Sequence, residues 1–301
     1  MKGKRMLETG ESITAKICAF ARANHSYFNR DKVYDDYLAF DLLGNEEYEY
    51  LKNLTIQKLA DKYINKEKLD SWYTFLEYIT PIPLSRIAYT EDKLYEFAKE
   101  NDSCQYVICG AGYDSFAFRN ENPDIEIFEL DHPNTQKRKM QRIREMEWIV
   151  PENVHFESIN FEYQSIDKTL INAKFDPNKK TFYSMLGVSY YLTLETLKDT
   201  FYRISKISAS GSRIVFDFPD DTGWKNDSTE RIKTLKSFTE ELGEKMTDGF
   251  SYVALQQVLK EYKYQMVDHQ SPDQIQDTYF RNRKDNLRAF EHVHFITAEF
   301  E

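Results

Sequence analysis

The last two-thirds of this chain restrict its fold most strongly. Short apolar or alternating runs recur at 105–109, 125–130, 154–159, 181–186, 213–218, 264–268 and 292–300, and helical patterns such as 133–147 and 194–207 separate most of them. Strands alternating with helices build βαβ units, which require a mostly parallel sheet with helices on its faces. Seven strands are expected. The link 269–291 is polar and weakly helical, with Arg281, Arg283 and Arg288, so the final strand is expected to be antiparallel.

Before residue 105 the pattern is helical. "ITAKICAFARANHSYF" places Ile13, Ile17, Phe20 and Ala21 on one stripe. Further helices are expected at 46–64 and 84–100, with Pro81 and Pro83 breaking the chain between them. The chain therefore reads as a single domain over 1–301: a helical N-terminal cap, 1–100, and a Rossmann-like α/β core, 101–301. Residues 222–262 form an insertion with two amphipathic patterns, near 228–242 and 251–262. It fits a cover over a ligand crevice and an extra packing layer equally well.

Composition narrows the function. With 301 residues, 41% of them hydrophobic, the chain can fill a large core and is not a disordered one. A net charge of −10 disfavours nucleic acid as a partner, and the basic run Lys137 to Arg144 reads as a solvated helix face. No apolar run approaches the ~20 residues needed to cross a bilayer, so no membrane role is expected. Cys18, Cys104 and Cys109 lack paired spacing and read as buried, reduced thiols, which points to a cytoplasmic protein.

The stretch "QYVICGAGYDSFAFRN" carries the first chemistry, because Gly110 and Gly112 follow the first strand. At that turn an open α/β sheet presents backbone N–H groups to a ligand, and glycine removes the Cβ that would hold the ligand off. The third glycine of a dinucleotide fingerprint would fall at Ser115. The next strand ends in "FELD", which offers Glu129 and Asp131 about twenty residues after Gly110, where a carboxylate grips ribose hydroxyls. Asp131 also reads as a helix N-cap before Pro133. The ligand is of adenosine type. The incomplete glycine pattern and the expected antiparallel last strand favour methyl transfer over hydride transfer.

Six segments in order then resemble the leucine carboxyl methyltransferase family, in the bacterial branch close to the polyketide O-methyltransferases. They are "TAKICAFARANHS" with "YDDYLA", "GAGYDSFAFR", "FELDHPNTQKRK", "LGVSYYLTLETL", "GSRIVFDF" and "GEKMTDGFSYVALQQVL". The resemblance implies a seven-stranded fold with a helical cap that binds S-adenosyl-L-methionine and releases S-adenosyl-L-homocysteine. It implies that Arg86 pairs with the methionine carboxylate, with Lys16 or Arg22 as a second cation. Gly110, Ala111, Gly112 and Asp114 would form the loop against the methionine moiety, and Asp131, with Glu129 nearby, would hold the ribose. Asn160 and Phe161 would flank the adenine, and Leu186 and Gly187 would border the site; His132, beside Asp131, reads equally as a cofactor contact and as a structural residue. Two positions depart from the pattern: Leu186 stands where the family has Glu, and the proline after Asp36 is missing.

Tyr113, Tyr190 and Tyr191 are candidates to line the acceptor site, and no catalytic base is evident. His292 and His294 share a strand face without a third ligand, so no metal is expected. The resulting expectation is an O-methyltransferase acting on a carboxylate or hydroxyl of a small molecule. A nicotinamide-dependent oxidoreductase and a non-catalytic nucleoside-binding relative remain as alternatives.

Overall fold

A computed structural model describes residues 11–62, 68–161 and 163–301. Seven strands form one sheet: β1 (Cys104–Cys109), β2 (Ile125–Asp131), β3 (Val154–Ser158), β4 (Thr181–Met185), β5 (Arg213–Pro219), β6 (Tyr264–Gln270) and β7 (Val293–Phe300). Each lies within two residues of its expected position. Their order is β3-β2-β1-β4-β5-β7-β6. Strands β1 to β5 pair in parallel, and β7 runs antiparallel between β5 and β6.

Central strands explain their own composition. All six residues of β1 are buried, because both faces of the strand are covered. Tyr106 and Ile108 join one core layer with Phe20, Phe97 and Phe182, while Val107 and Cys109 join the opposite layer with Phe128, Leu197 and Phe216. This period of two fixes which side chains of β5 face the cap. Val215 belongs to the cap-side layer and Ile214, Phe216 and Phe218 to the other, so Asp217 points toward the cap.

The cap comprises α1 (Ile13–Phe28), α2 (Ala39–Leu43), α3 (Asn45–Lys62), α4 (Lys68–Tyr78) and α5 (Pro81–Glu100). Helix α5 corrects the expected break at the two prolines. It begins at Pro81, because a first helical turn has no use for the N–H groups that proline lacks. Its twenty residues then run to the start of β1.

The remaining helices connect the strands. They are α6 (Phe116–Arg119), α7 (Pro133–Glu145), α8 (Ile166–Asn172), α9 (Leu194–Ser205), α10 (Asp221–Trp224), α11 (Glu230–Glu241), α12 (Tyr252–Glu261) and α13 (Pro272–Ile275). Residues 222–262 contribute to the core and touch the cap. Ile232, Leu235 and Phe238 of α11 enter the cap-side core. The turn after α11 sends the buried Glu244 to the N-terminus of α1, where it accepts from Ile13 N at 2.8 Å and from the hydroxyls of Ser12 and Thr14. A carboxylate there satisfies the free amides of the first turn and complements the helix dipole. Among the described residues, no helix is long and apolar enough to cross a membrane.

Candidate functional site

The turns after β1, β2 and β4 meet at the carboxyl edge of the sheet, under α1. Gly110 and Ala111 donate to Leu130 O at 2.8 and 3.0 Å, which ties the glycine turn to β2. Gly112 N donates to Asp131 Oδ2 at 2.5 Å, and His132 N donates to Asp131 Oδ1 at 2.6 Å. Burial raises the Asp131 carboxyl above its usual value, against these two backbone bonds, which lower it. Asp131 is therefore a tether between two loops. It is not the N-cap of α7; His132 takes that position, its Nδ1 accepting from Asn134 N at 3.3 Å.

Gly110 has φ +75°, and a Cβ there would lie 2.7 Å from Val188 Cγ2, in the turn after β4. The left-handed backbone and the close approach each require glycine. Asp114 is buried and accepts from Phe116 N, the first residue of α6, at 2.7 Å. Ser115, at the missing third glycine, donates to Asp36 Oδ1 at 2.5 Å.

The β4–β5 side of this edge is charged and buried. Arg86 of α5 reaches Asp217 Oδ2 at 3.3 Å and Cys18 Sγ at 3.4 Å, and these are its two acceptors among the described residues. Asp217 is fully buried, and its Oδ1 accepts from Gly187 N at 2.7 Å. Gly187 has φ +70°, and a Cβ on it would come within 2.6 Å of the Arg86 guanidinium. The guanidinium thus lies flat against bare main chain. Its pKa is raised by Asp217, in spite of burial, the largest influence, which opposes the charge. Tyr190 is buried beside this pair, and its phenol is pushed well above the usual value by burial and by Asp217. Its hydroxyl nevertheless meets no acceptor at hydrogen-bond geometry among the described residues.

The other expected site residues are distributed around this centre. Tyr113 is buried under α1; its carbonyl accepts from Arg22 Nη2 at 2.8 Å and its hydroxyl approaches Glu11 at 3.5 Å. Tyr191 lies near Thr14 and Glu244, and burial raises its phenol. Asn160 Nδ2 approaches His132 Nε2 at 3.4 Å, and Phe161 is exposed beside it. Glu129 pairs with Lys139 of α7 inside the sheet–helix interface, where burial pushes its carboxyl up to about 7. Lys139 is thereby an exception to the solvated face expected for the basic run.

Lys16 and Arg22 already have partners. Lys16 binds Glu11 at 2.5 Å and Glu47 at 2.9 Å, and Arg22 binds Asp36 at 2.8 Å. Cys104 and Cys109 are buried as expected, but Cys18 is only half-buried and faces Arg86. The sequence reading missed Asp217 altogether. Leu186 carries no acid, yet the Asp217 carboxylate stands against the amide of the very next residue, so the charge comes from a neighbouring strand. The signal available was a lone Asp in the buried run "RIVFDF".

Comparison with known proteins bears on the family and the fold. Residues 15–205 match the family described as Leucine carboxyl methyltransferase. YktD of Bacillus subtilis, named as an S-adenosyl-L-methionine-dependent methyltransferase, is 34% identical over 306 residues, covering 97% of this chain and 99% of YktD. A Mycobacterium leprae protein of the same description, ML2020, is 31% identical over 124 residues, 41% of each chain. Among solved structures, a DUF574-family protein from Streptomyces avermitilis superposes with a TM-score of 0.56 at 9% identity, over 83% of this chain and 97% of that one. A protein from Thermobifida fusca described as a methyltransferase gives 0.52 at 12% identity, over 82% and 93%. These two likenesses concern the fold.

Proposed function

The chain belongs to the leucine carboxyl methyltransferase family, and we propose that this S-adenosyl-L-methionine-dependent methyltransferase acts on a carboxylate or hydroxyl oxygen of a small molecule. The observation that carries the site reading is the meeting of Gly110–Gly112, Asp131 and Arg86 at one edge of the sheet. The residues fit such a cofactor. A Cβ at Gly110 would run into Val188 and one at Gly187 into the Arg86 guanidinium, and Arg86 has more N–H groups than acceptors among the described residues.

S-Adenosylmethionine supplies a methyl group already activated on a sulfonium. This chain's residues then have to bind, orient and exclude water. In the proposed site, Asp131 accepts the ribose hydroxyls, Arg86 takes the methionine carboxylate, and the glycine turn brings main chain against the ligand. Helix α1 covers the turn, with Ala15 Cβ 3.1 Å from where a Cβ of Gly112 would be. Such a roof keeps acceptor and donor aligned, and orientation of this kind supplies roughly 7–11 kcal/mol of a bimolecular barrier. A carboxylate acceptor needs no base at neutral pH, which suits a site whose nearby phenols, Tyr190 and Tyr191, are held protonated by burial.

The experiment is a thermal-shift titration followed by turnover. S-Adenosylhomocysteine should raise Tm and NAD(H) should not. Labelled methyl groups from S-adenosylmethionine should then appear in the small-molecule fraction of a cell extract as base-labile esters or stable ethers. Labelled protein with an unlabelled small-molecule fraction would refute the acceptor class.

A further inference from the structure

We infer that Asp36 is a positioning residue for the cofactor turn: a carboxylate of the cap, it fixes Ser115 directly and Tyr113 through Arg22, and so sets the main chain of Gly110–Gly112 only while the cap is seated on the core. The inference rests on the cofactor reading above and goes beyond it, since it gives the cap control over cofactor affinity through contacts made inside the protein.

The two halves of the turn are held by different parts of the molecule. Gly110 N, Ala111 N and Gly112 N are tied to β2, at Leu130 O and Asp131. Tyr113 and Ser115, which follow, are tied to the cap. Arg22 of α1 donates through Nη2 to Tyr113 O and through Nε to Asp36 Oδ2, both at 2.8 Å. Asp36, in the link between α1 and α2, takes the Ser115 hydroxyl on its other oxygen at 2.5 Å. One fully buried carboxylate thereby holds the chain on both sides of Asp114.

A second ion pair continues from the same hydroxyl. Ser115 Oγ accepts from Arg119 Nε at 2.9 Å, and Arg119 forks onto Glu91 of α5 at 2.6 and 3.2 Å. Tyr34, in the same link as Asp36, donates to Glu91 Oε1 at 2.5 Å. The network therefore joins α1, α5 and the glycine turn. It also accounts for serine at the position of a third glycine: a hydroxyl donates and accepts at once, and glycine would leave Asp36 and Arg119 each short of a bond. Arg22, Asp36, Ser115 and Glu91 are all buried, so the cap can drift from the turn only by breaking charge pairs out of reach of water. Small displacements of groups that orient a ligand carry large penalties, which makes such a strut effective at a distance.

The test is calorimetric titration of the full chain with S-adenosylhomocysteine, with urea denaturation of each variant alongside. Ser115→Ala removes the link between turn and cap while both ion pairs remain, so the variant should fold and bind about tenfold more weakly, the factor for one hydrogen bond to a charged group. Ser115→Thr keeps the hydroxyl and should restore the affinity. Arg22→Lys keeps a cation beside Asp36 but loses the reach to Tyr113 O, and should also bind about tenfold more weakly. Asp36→Asn should lose at least as much. Leu59→Ala truncates a buried side chain of α3 outside the network; it should lower the urea midpoint and leave the affinity unchanged. If Ser115→Ala and Arg22→Lys lower the midpoint but bind as the wild type does, the network is structural only and the inference is overturned. It is equally overturned if Leu59→Ala loses affinity in step with stability, because any loosening of the cap would then suffice. A wild-type protein that does not bind S-adenosylhomocysteine would overturn the cofactor reading, and this inference with it.

Discussion

The two sides of the candidate site are built on different principles. Around β1 and β2, contacts run between the main chain and a single carboxylate, across loops about twenty residues apart, as from Gly112 to Asp131 at 2.5 Å. Around β4 and β5, the contacts join buried side chains brought from distant segments: Arg86 and Asp217 are 131 positions apart, and Cys18 is 68 from Arg86. The first side holds a shape and the second holds charges. Shape made from turns survives the loss of one bond, whereas a buried charge left alone does not.

That contrast can be broken most directly at Arg86. Arg86→Ala leaves Asp217 buried without its cation and should cost about 3 kcal/mol of unfolding free energy, measured by urea denaturation. A loss below ~1 kcal/mol would put the pair in the class of surface ion pairs and erase the difference between the two sides.

The roof they share provides the next test. His25 of α1 is buried, and burial lowers its pKa from 6.5 to about 4. The folded chain therefore keeps this imidazole neutral where the unfolded chain takes up a proton. Its contribution is fully present above pH ~6.5 and is lost as the pH falls toward 4. Stability should drop by about 2 kcal/mol between pH 7 and 4.5 on this account. His25→Gln should flatten that part of the profile; an unchanged slope would assign it to other groups.

On the shape side, Asp131→Ala should weaken S-adenosylhomocysteine by about 2 kcal/mol, the loss expected for charged hydrogen bonds to the ribose. Unchanged affinity would place the ribose elsewhere and leave Asp131 as a loop tether only. The smallest effect is expected at Gly110→Ala. The positive φ and the nearby Val188 methyl should cost about 1 kcal/mol in stability, read as a lower urea midpoint. A loss as large as that of Arg86→Ala would show that the glycine turn tolerates no more than the charged side does.

Legibility in the sequence follows the same division. The strands were readable because burial on both faces leaves continuous apolar runs such as "CQYVIC", and burial selects residue type locally. The glycine turn and Asp131 were readable because a turn between neighbouring strands carries its chemistry at short range. The start of α5 was misread, since proline signals either a break or a first helical turn, and only the packing of the cap separates the two. Lys139 looked solvated until β2 placed Glu129 against it.

What the sequence determined by itself is the order and kind of the elements, the glycine-lined turn and the acid that follows it, because each depends on residues close along the chain. What only the tertiary structure decided is which charges meet. Leu186 suggested a missing acid, and Asp217, one strand over, stands in the space beside it. Pairing in a parallel sheet sets residues of different strands side by side at about 5 Å, and a linear sequence does not state that neighbourhood.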